Sequence, residues 1–326
     1  LSPYFVNNQQ SMSADLEAEI RTRAEVSAID PHAGKLTCDG EDIHYGDLVL
    51  ATGALPIHVP VDGDAGDDVI AVNNLGDYTH FRSRLDATER VAIMGPGLIG
   101  CEFANDLCGR GLAVDVFGPD AWPVSTLLPE PAGRALQEAL EAAGVRFRLH
   151  TTARRIDRHD GSLRIELHNG DVFEADLLLS AVGLRPDTRL AAGAGLAVGR
   201  GIVTDRLLRT SAPHVYALGD CAEVDGMNLP YVMPIMHAAR ALAKTLAGDP
   251  VPVRYPAMPV VIKTPSLATV VSPPPRHAAG SWEHAGSGPD IRSTYVAASG
   301  ELLGFALTGE AAAEKQALTK RLPGVL

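Results

Sequence analysis

The run Gly95-Pro96-Gly97-Leu98-Ile99-Gly100 constrains this chain more than any other feature. It closes a short apolar segment, Arg90–Met94, and opens a segment, 98–108, of helical periodicity. Another apolar segment, Leu112–Phe117, follows. Strand, glycine turn, helix and strand in that order make a compact βαβ unit. The three glycines have separate tasks. Gly95 permits a tight turn, Gly97 lets the backbone approach a pyrophosphate, and Gly100 lets the helix pack closely on the strand. The helix N-terminus, with Leu98 and Ile99, then attracts the anion.

A carboxylate about 20 residues further on is expected to hold a ribose 2′-hydroxyl. The usual acidic position here is Gly118, and Asp120 substitutes from two residues on. That loop holds no Arg or Lys to meet a 2′-phosphate, which favours NADH over NADPH.

The chain also echoes itself. Ala51-Thr52-Gly53-Ala54-Leu55-Pro56 ends one apolar segment, and Ala181-Val182-Gly183-Leu184-Arg185-Pro186 ends another. Both read A-x-G-x-x-P, so two copies of one nucleotide-binding architecture are expected. The second copy has its glycine motif upstream at Gly95; the first has none in this sequence. A third element, Thr210–Leu218, runs into Gly219-Asp220. Gly219 lets backbone come close to a ligand, and the Asp220 carboxylate can accept hydrogen bonds from sugar-alcohol hydroxyls. Asp220 can also serve as an N-cap for the next helix.

Composition removes several other classes. The 326 residues carry a formal net charge of −12, with 46% apolar residues. An acidic chain is a poor partner for nucleic acid, which attracts clustered Lys and Arg. No apolar run is long enough to span a bilayer. The four cysteines, Cys38, Cys101, Cys108 and Cys221, form no CxxC pair, and the eleven histidines show no metal-ligand spacing, so no metal site is expected. Scattered thiols without a targeting segment read as cytoplasmic.

GxGxxGxE at 95–102, the paired AxGxxP strands and TSxPxVYALGD at 210–220 resemble the pyridine-nucleotide:disulfide oxidoreductase superfamily. Several stretches are similar to its rubredoxin–NAD+ reductase family: His44–Leu50, Leu98–Leu107, Tyr216–Asp225, Tyr231–Pro234, Lys263–Pro265 and Val271–Pro275. The resemblance implies an α/β fold with two Rossmann-like three-layer nucleotide-binding domains and a small C-terminal α+β domain. It implies FAD held by Thr52, Gly53, Gly219, Asp220, Val232 and Met233. NADH would lie against Gly95, Gly97, Leu98, Ile99, Gly100, Asp120, Val182 and Gly183. Glu102 would sit beside the nicotinamide side of the flavin and Lys263 close to the isoalloxazine, as catalytic residues. A Lys-Pro that precedes a Leu-Ser in the family is missing, although Leu1-Ser2 resembles that Leu-Ser, and Pro3–Ser11 is short for the family.

The implied domains are an FAD-binding part at 1–72, an inserted NADH-binding domain at 73–196, a second FAD-binding part at 197–255, and a C-terminal domain at 256–326 for carrier docking at the flavin edge. The opening βαβ of the FAD domain is absent, so the chain is expected to be a fragment of a longer protein.

The implied function is hydride uptake from NADH and delivery of single electrons to rubredoxin. Alternatives are an NADH-dependent ferredoxin reductase of an oxygenase system and a catalytically silent FAD-binding subunit or sensor. Without a CxxC relay, electrons should leave directly from the flavin. Charge suggests where. Residues 1–75 hold 3 basic and 13 acidic side chains, whereas 196–326 hold 12 basic and 10 acidic. An acidic carrier, as rubredoxins are in the family, would favour the C-terminal face, with Lys315, Lys320, Arg321 and also Arg240 as docking candidates.

Overall fold

The computed structural model describes residues 9–326. The Leu1-Ser2 resemblance and most of Pro3–Ser11 lie outside the described residues. Packing divides the chain into two units, 1–53 with 186–253 and 54–185 with 254–326.

The second unit is built on a five-stranded parallel sheet. Its order is Ile70–Ala71, Leu177–Ser180, Arg90–Met94, Ala113–Phe117, Val145–Arg148. The inner strands are covered on both faces, which is why they read as unbroken apolar runs. From Arg90–Met94 the chain winds one way through helices Leu98–Cys108 and Glu130–Ala142, then returns to lay Leu177–Ser180 on the other side. Strand order therefore reverses at Arg90–Met94. In an open α/β sheet the ligand crevice lies beyond the carboxyl end of the strand at such a reversal, and the Gly95 turn stands there.

Helix Glu130–Ala142 has Pro131 in its first turn and stops before Gly144, whose φ is +107°. Its buried Ala132, Ala135, Leu136 and Leu140 share one core with Ile262, Leu267, Val271, Ile291 and Ala306. Leu136 and Leu140 are wholly buried, each worth about 1.5–3 kcal/mol. Those partners belong to a second, antiparallel sheet ordered Val260–Ile262, Thr269–Ser272, Leu302–Thr308, Asp290–Val296, Ser281–Ser287. Within this unit the C-terminal sheet is thus packed on the nucleotide-type sheet through one shared helix.

Several elements differ from the sequence expectation. The antiparallel meander of residues 153–175 opens with a strand, Ala153–His159, that sequence reading missed. Its charged residues conceal the pattern, because only Ala153 and Ile156 are buried. The helix expected at 77–89 runs Leu75–Leu85, since Asn74 caps it and Asp77 bonds back to the Asn74 peptide. The helix expected at 309–321 is a 3₁₀ segment, Gly309–Glu314, followed by a short α-helix, Lys315–Thr319. Asp290 Oδ1 accepts the Glu310 N–H at 2.7 Å and ties that start to the neighbouring hairpin.

In the first unit, Val26–Asp30, Lys35–Cys38 and Glu41–His44 form an antiparallel sheet. Asp39 and Gly40 both take positive φ, the conformation a two-residue hairpin turn requires. Parallel pairs join Leu48–Leu50 to Val215–Ala217 and Ile202–Thr204 to Ala222–Val224, and helix Val232–Leu246 follows. The first helix runs Gln9–Leu16, earlier than the 12–20 expected, and buries none of its residues.

Candidate functional site

The glycine turn of the second unit is shaped by three different constraints. Gly95 has φ +110°, and a Cβ there would lie 2.6 Å from the Ala181 carbonyl oxygen. A Cβ on Gly100 would lie 2.0 Å from the Gly95 carbonyl oxygen, so only glycine lets the helix sit this close to the turn. Gly97 is the opposite case: nothing stands within 4 Å of its missing Cβ. It is the N-cap of Leu98–Cys108 and offers no capping side chain. The first-turn N–H groups therefore face an open cradle with the positive end of the helix behind it. Leu98 is half-buried and Ile99 exposed at its edge. Ala181 donates its N–H to Met94 at 2.7 Å, which brings Val182 and Gly183, at φ +109°, alongside the turn. Asp120 lies half-buried in the loop beyond Phe117, and the Ser125 hydroxyl donates to its carboxylate.

One turn along the same helix, Glu102 Oε1 accepts the backbone N–H of Lys263 at 2.8 Å. Asn105 Oδ1 accepts the Ser266 N–H at 3.1 Å. Glu102 and Lys263 are thus brought together, but through carboxylate and peptide; the Lys263 side chain is exposed. Asn105 is buried and was not singled out in the sequence. Its signal was a polar residue three positions from Glu102 on an apolar helix, which places both on one face.

In the first unit, Thr52 donates its hydroxyl to the Asp187 carbonyl at 2.7 Å, and Asp187 donates its N–H to Gly53 at 2.9 Å. Gly53 and Gly219 both take positive φ. Asp220 carries the sharpest signal: its Oδ1 is buried and has no hydrogen-bond partner among the described residues. Burial alone pushes its carboxyl above the usual carboxylate range. The Asn228 amide fixes this loop by donating to the carbonyls of Asp220 and Ala222 at 2.9 and 2.8 Å. Asp220 is not a helix cap, because strand Ala222–Val224 follows it and the N-cap position of the next helix is Tyr231, which makes no side-chain capping bond. That helix opens with Val232 and Met233, 69% and 48% exposed. A buried acceptor without a donor fits a sugar-alcohol hydroxyl, and an uncapped helix start with apolar side chains fits the edge of a planar ring system.

The four cysteines are free, and burial pushes the Cys101 thiol up to about 12. Among the described residues no group of three His, Cys, Asp or Glu could hold a metal ion. No helix of the described residues is long and apolar enough to cross a membrane.

A doubly wound sheet with an open glycine cradle in the second unit, and an unpartnered carboxylate for a sugar alcohol in the first, define a dinucleotide-binding oxidoreductase. Comparison with known proteins agrees. The model of the pyridine nucleotide-disulphide oxidoreductase family matches residues 5–244, and that of a rubredoxin binding C-terminal domain matches 252–322. A rubredoxin-NAD(+) reductase of Alcanivorax borkumensis is 45% identical over 97% of this chain and 83% of its own length. A nitric oxide reductase FlRd-NAD(+) reductase of Aeromonas hydrophila is 36% identical over 91% of this chain and 76% of its own. The ferredoxin reductase for the CYP199A2 system of Rhodopseudomonas palustris superposes with a TM-score of 0.87 at 26% identity, covering 98% of this chain and 81% of that one. The chain belongs to the pyridine nucleotide-disulphide oxidoreductase family, as a relative of its rubredoxin-NAD(+) reductases. It is an oxidoreductase of FAD and NADH.

Proposed function

We propose that this chain takes reducing equivalents from NADH and passes them singly to rubredoxin. The observation that carries the reading is the coincidence, in one family member, of the open Gly97 cradle, the orphaned Asp220 acceptor and a C-terminal sheet matched by a rubredoxin-binding domain. FAD, when bound, supplies the hydride-accepting and one-electron chemistry that no side chain here can provide.

The residues divide the remaining work. Gly95, Gly97, Leu98, Ile99 and Gly100 receive the NADH pyrophosphate, with Val182 and Gly183 beside it. Asp220, with Gly219, Thr52, Gly53, Val232 and Met233, holds FAD. Glu102 fixes the Lys263 peptide, and so orients the side chain proposed to lie near the isoalloxazine. The FAD-binding domain is assigned to the unit of 9–53 and 186–253, and the NADH-binding and docking domains to 54–185 and 254–326, because strand Ile70–Ala71 belongs to the five-stranded sheet. Lys320 and Arg321 are exposed and Lys315 half-buried on the last turn, where they would attract an acidic carrier. The cytoplasm is the compartment that suits four free thiols.

The test is NADH-driven turnover of the FAD-loaded protein with rubredoxin, a ferredoxin and a neutral dye side by side. Preference for rubredoxin supports the reading. Preference for the ferredoxin moves the protein to the alternative carrier, and failure of NADH to bleach the flavin anaerobically leaves the silent subunit.

A further inference from the structure

The loop between strands Val260–Ile262 and Thr269–Ser272 is held from two sides. On one side it meets the helix that starts at the Gly97 cradle. Glu102 and Asn105 are three residues apart on that helix, and the N–H groups they accept, from Lys263 and Ser266, are three residues apart on the loop. Two matched bonds, at 2.8 and 3.1 Å, fix an orientation where a single bond leaves a swivel. Leu267 adds an apolar anchor, buried in the same core as Cys101 and Ala104 of the helix. On the other side the Ala268 carbonyl accepts the Gly309 N–H at 2.9 Å. Gly309 opens the 3₁₀ segment that leads directly into Lys315–Thr319.

Between these two ends the loop is stiff. The buried Thr264 and Thr269 hydroxyls both donate to the Leu267 carbonyl, each at 3.1 Å. Leu267 donates its own N–H to the Thr264 carbonyl at 3.1 Å, and Thr264 donates to Ile262 at 3.0 Å. The start of the helix is the adjustable member. Its N-cap, Gly97, offers no capping side chain, and Ile99 in the first turn is exposed. Gly100 follows, a poor helix former. A start of this kind opens at low free-energy cost. Cys101, next to Glu102, closes its backbone bond onto the Gly97 carbonyl at 3.0 Å, so Glu102 keeps its place while the first turn holds. An anion on the first-turn N–H groups favours the intact turn, because a frayed turn does not assemble those donors.

We propose that this clip couples the two ends of the second unit: a nicotinamide dinucleotide in the Gly97 cradle tightens rubredoxin on the segment that follows Gly309. The ligand pins the first turn, and the turn pins Glu102 and Asn105. The stiff loop passes that order to the start of the segment carrying Lys315, Lys320 and Arg321. Asn105 is a positioning residue that acts through the loop. The sign separates this coupling from simple electrostatics. A bound pyrophosphate adds negative charge, which by itself weakens an acidic carrier, whereas the clip strengthens it. Coupling between two sites is reciprocal, so rubredoxin tightens the nucleotide by the same factor. The inference rests on NADH occupying the Gly97 cradle and on rubredoxin docking at the last helix.

The test uses the FAD-loaded protein with NAD+ and oxidised rubredoxin, so that no electrons flow. Calorimetry reads the rubredoxin Kd without and with saturating NAD+, and hydrogen exchange reads the Lys263 and Ser266 amides. In wild type NAD+ should tighten rubredoxin by about fivefold or more and slow both amides. Asn105→Ala should leave the NAD+ Kd, measured without rubredoxin, within about twofold of wild type while the rubredoxin factor falls below about twofold. Asn105→Asp keeps the acceptor oxygen and should restore the factor. Thr264→Val removes one hydroxyl from the Leu267 carbonyl without touching the helix, and should lower the factor from the loop side. A rubredoxin Kd that NAD+ leaves unchanged or raises in wild type would overturn the coupling and leave the docking reading intact. So would a factor that survives in both Asn105→Ala and Thr264→Val. Rubredoxin that fails to bind wild type in either state would remove the docking reading and the coupling together.

Discussion

Gly97 and Gly100 stand three residues apart in one motif, and replacing each by alanine should give opposite phenotypes. At Gly100 the new methyl would sit 2.0 Å from the Gly95 carbonyl oxygen, about an ångström inside any real contact. The obstacle is backbone, so the helix must move away from the turn. Such overpacking costs about 1–3 kcal/mol, and a clash against main chain belongs at the upper end. Alanine's helix propensity returns at most about 1 kcal/mol. The net loss is about 2 kcal/mol, or roughly 4–8 °C in Tm for a unit of this size. At Gly97 the methyl meets nothing within 4 Å, and the residue's φ of −76° suits any L-amino acid. Losing glycine at an N-cap costs up to about 1 kcal/mol, offset by about 0.4–1 kcal/mol from a stiffer unfolded chain. Tm should stay within about 2 °C of wild type by the same conversion. The methyl instead fills the cradle, and NADH affinity should fall at least tenfold. Thermal melts and NADH titrations of both variants decide it. A Gly97→Ala protein that binds NADH normally, or a Gly100→Ala protein with an unchanged Tm, would refute the steric argument.

Three further outcomes follow from the same geometry. Asn105→Ala removes the part-buried hydrogen bond from the exposed Ser266 N–H and should cost about 0.5–1.5 kcal/mol in denaturant unfolding; Glu102→Ala frees the exposed Lys263 peptide to water, so its loss should show mainly in acceptor reduction by the FAD-loaded protein. Asp220 has a folded pKa raised by burial, so its contribution to stability is fullest below the unfolded value and is lost as pH rises through the folded one; without FAD, Asp220→Asn should melt higher than wild type near pH 7, with a smaller decline from pH 4 to 7, while failing to retain FAD. Rubredoxin reduction should slow as salt rises from about 0.05 to 0.5 M while reduction of a neutral dye does not, and charge reversal at Lys320 and Arg321 should mimic the salt effect; a flat response for both acceptors removes the docking face.

Much of this protein is written in local sequence. Gly95, Gly97 and Gly100 announce a strand-to-helix turn because backbone sterics at such a turn are decided within a few residues. Pro131 and Gly144 bracket a helix, and Asp39-Gly40 closes a hairpin, for the same reason. The apolar runs Arg90–Met94 and Leu177–Ser180 declare strands buried on both faces. The sequence also distinguished Asp220 as an acceptor near a glycine. Other features depend on residues that meet only after folding. The strand Ala153–His159 is hidden because only Ala153 and Ile156 are buried, so its own sequence shows no alternation, and pairing with Ser162–Leu167 sets its place. The clip from Glu102 and Asn105 to Lys263 and Ser266 spans about 160 positions, and no local pattern encodes such a partner. That Asp220 lacks a donor is a fact of packed volume. Volume is set by the whole core, which is why only the tertiary structure could show it.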